Sequence, residues 1–225
     1  MCLNARLTGI EGCCWASAGY TVHIRDPSQK QCDEALAYIK ENVESYSQVT
    51  GKTPGEAYAF IELEDAVKDA WLVFEAVPEK LQLKIDTFAE LERLTPGDAI
   101  LCSNSSSYKS SEMLEKVNDE TKTRILNTHY MMPPDNRIVE IMTDGHTTNE
   151  IFPWLAERHR EAGLHPYVAK KESTGFIFNR VWAAIKRECL NILAEGVSTP
   201  DQLDAIWREM YGPKGGPCAA MDGKM

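Results

Sequence analysis

Thr21-Val22-His23-Ile24-Arg25-Asp26, followed at once by Pro27-Ser28 and a helical run, decides the fold. The first six residues are β-branched and apolar at alternate positions, which predicts a short strand. Pro27-Ser28 suits a helix start, and Cys32, Leu36, Ile39, Val43 and Tyr46 then recur at helical spacing. A strand that runs straight into an amphipathic helix is half of a βαβ unit. The same alternation continues downstream. Strands are predicted over 57–63, 71–75, 99–102, 124–129, 138–142 and 165–170. Helices are predicted over 64–70, from Pro78 to about Arg93, over 111–117 and over 148–162. Strands alternating with helices require right-handed crossovers, so the expected fold is α/β: a mostly parallel sheet with helices on both faces.

The pattern changes after Lys171. Residues 175–195 read as one long helix with a stripe of Phe178, Val181, Trp182, Ile185, Cys189, Ile192 and Leu193. Ser198-Thr199-Pro200-Asp201 starts another, with Leu203, Ile206, Trp207 and Met210 on one face. The Gly/Pro-rich end is expected to be irregular. The expected division is therefore an α/β domain over 1–172 and an all-α piece over 173–225. Upstream of the opening stretch, residues 15–20 read as the end of a first helix. Residues 1–8 do not read as a buried strand.

Composition narrows the function. The chain has 225 residues and a net charge of −10 with no basic run, which excludes binding to nucleic acid or anionic membranes by charge neutralisation. No apolar run approaches the ~18–20 residues that span a bilayer, and the N-terminus lacks the pattern of a signal peptide. The seven cysteines (2, 13, 14, 32, 102, 189 and 218) are scattered and include no CxxC, so reduced thiols, no metal site and a cytoplasmic location are expected.

In an open parallel sheet, ligands bind beyond the carboxyl ends of the strands. Those ends collect Asp26, Glu75 with Glu79, the run Ser103-Asn104-Ser105-Ser106-Ser107, and His129. Each residue alone has a structural reading: Asp and Ser cap helices, Glu suits a helix start, and a lone His is more often structural. Together they suggest chemistry. An acid at the place of Asp26 accepts hydrogen bonds from ribose hydroxyls and repels a 2′-phosphate, which favours NAD over NADP; a plain cap is the alternative. A Gly-rich phosphate loop is expected about 20 residues earlier. Only Gly9 and Gly12 are near, with Glu11 between them.

From Trp15 to about Met221 the chain resembles the L-3-hydroxyacyl-CoA dehydrogenase family, which includes the lambda-crystallin/L-gulonate 3-dehydrogenase branch. Ala16-x-x-Gly19-x-x-Val22-x-x-x-Asp26 is similar to the second half of the family's NAD fingerprint. Glu75-x-x-x-Glu79-x-x-x-x-Lys84 is similar to its E-x-x-x-E-x-x-x-x-K segment. The run 103–107 is similar to its S-N-T-S-S. His129 and Glu140 are similar to the histidine of H-F-F-N-P and the glutamate of the following V-E-V. Residues 173–180 are similar to P-G-F-I-V-N-R.

The resemblance implies a Rossmann-like domain, a helical C-terminal domain that dimerises, and reversible NAD-linked oxidation of the 3-hydroxy group of a 3-hydroxyacyl-CoA, a reaction of fatty acid metabolism, or of a related 3-hydroxy acid. It implies His129 as general base and Glu140 as the group that orients it. Ser106 and Asn179 would bond the reacting oxygen and the nicotinamide side, and Glu79 and Lys84 would line the nicotinamide ribose. His23, His146, His159 and His165 are read as structural or exposed. The chain departs from the family in three ways. The glycine fingerprint and first strand are missing, Met132 replaces the asparagine of H-F-F-N-P, and the sequence stops about halfway through the helical domain. A chain truncated at both ends is expected. A non-catalytic or cofactor-deficient relative of the same fold is the alternative.

Overall fold

The computed structural model describes residues 5–212 and 215–223, and the chain divides into two compact units, Met1–Thr174 and Gly175–Met225. The first unit begins with α1 (Ala5–Ser17), so its early residues are helical where a first strand of a βαβ unit would stand; residues 1–4 lie outside the described residues. The strand β1 (Val22–Arg25) follows, then α2 (Gln29–Thr50), which buries Cys32, Ile39 and Tyr46 with Leu36 and Val43 packed alongside. The run continues through β2 (Ala57–Phe60), α3 (Leu63–Val67), β3 (Leu72–Glu75), α4 (Leu81–Leu94) and β4 (Ile100–Ser103). After it come α5 (Asp119–Lys122), β5 (Ile125–Tyr130), β6 (Ile138–Thr143), α6 (Ile151–Glu161) and β7 (His165–Ala169).

The described strands form two sheets. One pairs β1 with β2 in parallel. The other runs β3-β4-β5-β6-β7, parallel except at β5–β6. That antiparallel step follows from chain length: the 131–137 connection is too short for a crossover, which needs a dozen or more residues. The inner strand β4 is buried at every position. Ile100 and Cys102 face a core with α1, α2 and α6, while Leu101 faces a second core with α3 and α4. Burial on both faces explains why β4 reads as continuous apolar sequence. Among the described residues no helix is long and apolar enough to cross a membrane.

Three sequence expectations are corrected. Pro78 does not open α4, which starts at Leu81; the buried Glu75 carboxylate accepts the Val77 N–H at 2.6 Å and holds 76–80 out of the helix. Residues 111–117 are not an α-helix. A single 3-10 turn spans Ser110–Met113, because Asn127 Oδ1 takes the Ser110 N–H (2.7 Å) and Glu172 takes the N–H and hydroxyl of Ser111 (3.0 and 2.7 Å). The C-terminal end is not wholly irregular. In the second unit α7 (Phe178–Ala194) and α8 (Pro200–Tyr211) are followed by α9 (Pro217–Met221), whose first amides are capped by Asp204: Cys218 N–H at 2.8 Å and Ala219 N–H at 2.9 Å.

The turn into β2 depends on a missing side chain. The Gly55 N–H donates to Ala16 O at 2.8 Å, and a Cβ on Gly55 would collide with the Tyr20 carbonyl. Gly55→Ala is therefore expected to cost about 1–3 kcal/mol by forcing backbone apart, measured as a shift of the urea midpoint at constant slope. A change below ~0.5 kcal/mol would show that the turn relaxes freely.

Candidate active site

The carboxyl ends of β1, β3, β4 and β5 carry the polar groups of the first unit. At the end of β1, Asp26 is 2% exposed. Its Oδ1 accepts the Ser28 N–H at 2.8 Å, while Oδ2 is buried with no hydrogen-bond partner among the described residues. An acceptor left open in this way is costly unless a donor arrives. A ribose hydroxyl is such a donor, so Asp26 fits the cofactor expected from its position.

At the ends of β3 and β4 a buried cation organises the loops. Lys84, on α4, is 1% exposed. Its Nζ donates to Glu75 Oε1 and Oε2 at 3.0 and 3.3 Å and to the Val77 carbonyl at 3.3 Å, and lies 3.2 Å from Glu79 Oε2. Glu75, fully buried on β3, also accepts the Ser103 hydroxyl at 2.7 Å. Glu79 accepts from the Ser105 hydroxyl and from the Ser107 N–H at 3.1 Å. Partial burial pushes the Glu79 carboxyl up, but the Ser105 hydroxyl and Lys84 outweigh it and hold it below the usual carboxylate range. Of this group Glu79 and Ser107 reach solvent, as does the neighbouring Ser106; Lys84 lies beneath them with its donors spent.

His129 ends β5 and Glu140 stands on β6. The register pairs them directly, and His129 Nδ1 lies 3.1 Å from Glu140 Oε2. Both are buried, at 6% and 2% exposure. Nδ1–H donates to the carboxylate, which places the basic lone pair on Nε2. Asn179 lies in the second unit, one residue into α7.

Sequence reasoning assigned no individual role to two polar residues that the structure shows to be central. Asn104 ties three elements: its N–H donates to Glu75 O (2.8 Å), its Oδ1 accepts the Tyr130 N–H (3.1 Å), and its Nδ2 donates to Glu11 on α1. Tyr130 accepts the Trp15 indole N–H (3.0 Å) and donates to His159 Nε2 (3.1 Å), whose Nδ1–H donates to Leu155 O (2.8 Å). Burial pushes His159 down to about 4, so it is a neutral structural relay. Both residues sit inside motifs, at 103–107 and after His129. Only their long-range partners were invisible.

The α/β unit lays an acid with one open carboxylate oxygen, a carboxylate-bound histidine and a Ser-rich loop along its strand ends, as an NAD-binding oxidoreductase domain does. The chain belongs to the 3-hydroxyacyl-CoA dehydrogenase family: residues 9–173 match its NAD binding domain and residues 175–223 its C-terminal domain. NAD is the cofactor of that domain. An L-carnitine dehydrogenase of Nocardiopsis dassonvillei is 31% identical over 208 residues, 89% of this chain and 62% of that protein. The 3-hydroxyacyl-CoA dehydrogenase-like protein LAM1 of Cochliobolus heterostrophus is 54% identical over 102 residues, 45% of this chain and 22% of that protein. This chain thus spans less than two thirds of either relative. Among solved structures, a 3-hydroxybutyryl-CoA dehydrogenase from Escherichia coli superposes with a TM-score of 0.82 at 26% identity, over 93% of this chain and 45% of that one. A diketoreductase superposes with a TM-score of 0.86 at 27% identity, over 96% and 79%.

Two measurements test the site's electrostatics. Lys84→Met strands Glu75 as a buried, uncompensated charge and should cost about 3–5 kcal/mol, while Glu75→Gln with Lys84→Met should recover part of it. Chemical denaturation reads both, and a single-variant loss under ~1 kcal/mol would mean water replaces the amine. Burial pushes Glu11 up to about 8 from 4.5. The folded state then keeps a proton that the unfolded chain releases, so stability falls as pH rises from about 4.5 to about 8, by at most ~1.4 kcal/mol per unit. Glu11→Gln should flatten that slope in denaturation curves taken across the window; an unchanged slope would place its cause elsewhere.

Proposed function

We propose that this protein is an NAD-dependent oxidoreductase acting on the 3-hydroxy group of a 3-hydroxyacyl-CoA or a related 3-hydroxy acid. The observation that carries the reading is the His129–Glu140 pair, buried and in hydrogen-bond contact at 3.1 Å. NAD, when bound, supplies the hydride acceptor. His129 Nε2 takes the proton of the substrate hydroxyl. Glu140 keeps the imidazole in the tautomer that leaves Nε2 basic and steadies the positive charge that develops. Asp26 holds the adenosine ribose through Oδ2. Glu79, fixed by Lys84 and Ser105, would hold the nicotinamide ribose through its ionised carboxylate, and Ser106, on the exposed loop after β4, would donate to the reacting oxygen. The name L-carnitine dehydrogenase on relatives near 30% identity supports a small 3-hydroxy acid as readily as a CoA ester. Exposed apolar side chains on α7 and α8 (Val181, Leu190, Ile206 and Met210, all above half exposed) support a homodimer through the second unit.

One observation favours a second reading, a cofactor-deficient relative. The described chain enters α1 at Ala5 and carries the Glu11 carboxyl on that helix, where a glycine-rich phosphate turn is expected. A titration with NADH, read by nicotinamide fluorescence and with NADPH as control, separates the two. Saturable binding that prefers NADH supports the enzyme, and no binding by the folded chain supports the second reading. In the first case His129→Ala should lower turnover of 3-hydroxyacyl substrates by about 10²–10⁴-fold while NADH binding is unchanged. Equal turnover by both proteins would remove His129 as the base.

A further inference from the structure

The loop after β4 carries Ser106 and forms no helix or strand before the 3-10 turn at Ser110. Side chains hold it at both ends. At the near end Glu79 accepts the Ser105 hydroxyl and the Ser107 N–H, and Asn104 Oδ1 accepts the Tyr130 N–H at 3.1 Å. At the far end the Asn127 amide takes two backbone groups: Oδ1 accepts the Ser110 N–H at 2.7 Å, and Nδ2 donates to the Tyr108 carbonyl at 3.4 Å. Asn127 stands on β5 two residues before His129, so the two side chains share one face of the sheet. The register sets Asn127 beside Ser103 on β4, and Ser103 beside Glu75 on β3. The polar row of that face thus runs from the Lys84 cluster to Asn127, and its next member, Met142, is apolar and buried. Asn127 is fully buried in a strand buried at every position. An amide there is costly unless its donor and acceptor are both used. Both are used on the loop, whereas an apolar side chain would fill the position without that cost.

From this arrangement we infer that Asn127 is a positioning residue for the reaction: it fixes the loop at Tyr108 and Ser110 against β5 and thereby sets the reach of the Ser106 hydroxyl to His129 Nε2. The inference rests on the roles proposed above for His129 and Ser106. The substrate hydroxyl has to meet both groups at once, the imidazole taking its proton and Ser106 donating to its oxygen. Ser106 lies two residues after Asn104 and two before Tyr108. Asn104 is bonded to the amide that follows His129, and Tyr108 is bonded to the side chain two residues before it. Both anchors of the loop are therefore on the strand that carries the base, and serine and imidazole share one frame. A displacement of about 1 Å between such groups costs up to about 10²-fold in rate. The ribose contacts do not depend on this frame. Asp26 is held by the Ser28 amide, and Glu79 by Lys84 and Ser105. Cofactor binding is accordingly independent of Asn127.

The test uses the full chain and follows NADH oxidation with acetoacetyl-CoA or acetoacetate, whichever the wild type reduces. Asn127→Leu keeps the shape of the side chain and removes both bonds. Asn127→Ser leaves room for a water at the Ser110 amide and serves where the first variant fails to fold. Thr147→Val is the stability control, because the Thr147 hydroxyl donates to Ile125 O at 2.7 Å, at the opposite end of β5. The Asn127 variants should lower kcat about 10–100-fold per folded protein while KM and the NADH Kd stay within about twofold. Thr147→Val should lower Tm and leave kcat unchanged. An unchanged kcat in a folded Asn127 variant would overturn the assignment. So would an equal fall in kcat for Thr147→Val, or a loss confined to KM or to NADH binding. A wild type that binds no NADH and reduces neither probe would overturn the enzymatic reading and this inference with it. A wild type that reduces one probe, matched by Asn127→Leu, would overturn this inference alone.

Discussion

The Lys84 ammonium is the constraint on which the edge of the sheet depends. It draws Glu75 from the end of β3, Glu79 from the following loop and the Val77 carbonyl onto one point. Glu75 in turn fixes Ser103 at the end of β4, and Glu79 fixes Ser105 and Ser107. Two strands, a helix and a serine-rich loop thus share one buried charge. A buried cation is tolerated only when its partners offset the lost hydration, and here two carboxylates and a carbonyl do so. The arrangement ends β3 cleanly, delays α4 to Leu81, and leaves Glu79 ionised at the surface of the cluster.

His129 and Glu140 depend on a different constraint, the antiparallel register. A shift of one residue between β5 and β6 would turn one of the pair to the other face of the sheet. The register is fixed by alternation on both strands: Leu126, Val139 and Ile141 are buried in one shared core. The same packing holds Tyr130, whose hydroxyl links Trp15 of α1 to His159 of α6. The position of the imidazole is therefore set by core residues far from any substrate.

The packing of the two sheets depends on α1. That helix packs against α2 and β1 and buries Cys13, Trp15 and Ala16 as a first crossover helix should. Among the described residues the β1–β2 ladder and the β3–β7 sheet share one core with α1, α2 and α6 while forming separate ladders. Trp15, Tyr20, Trp71 and Trp154 form a continuous row of packed aromatic rings that ties α1 and β3 to α6. Apolar packing is non-directional and can hold two sheets together.

The sequence by itself determined the order and type of nearly every element, because the periods of 2 and 3.6 are local properties of the chain. It also placed Asp26, Glu79, Ser106 and His129 near the strand ends where a ligand binds, since a strand end is visible as the last residue of an apolar run. Residues 78–80 and 111–117 stay out of α-helices because the side chains of Glu75, Asn127 and Glu172 take backbone groups at or beside those starts. The tertiary structure alone decided which strands lie side by side. It set His129 against Glu140, sank Lys84 beneath Glu79 and gave Asn104 its bond to Glu11. Periodicity says which face a residue occupies. The residue across the ladder is fixed by contacts between segments far apart in the chain.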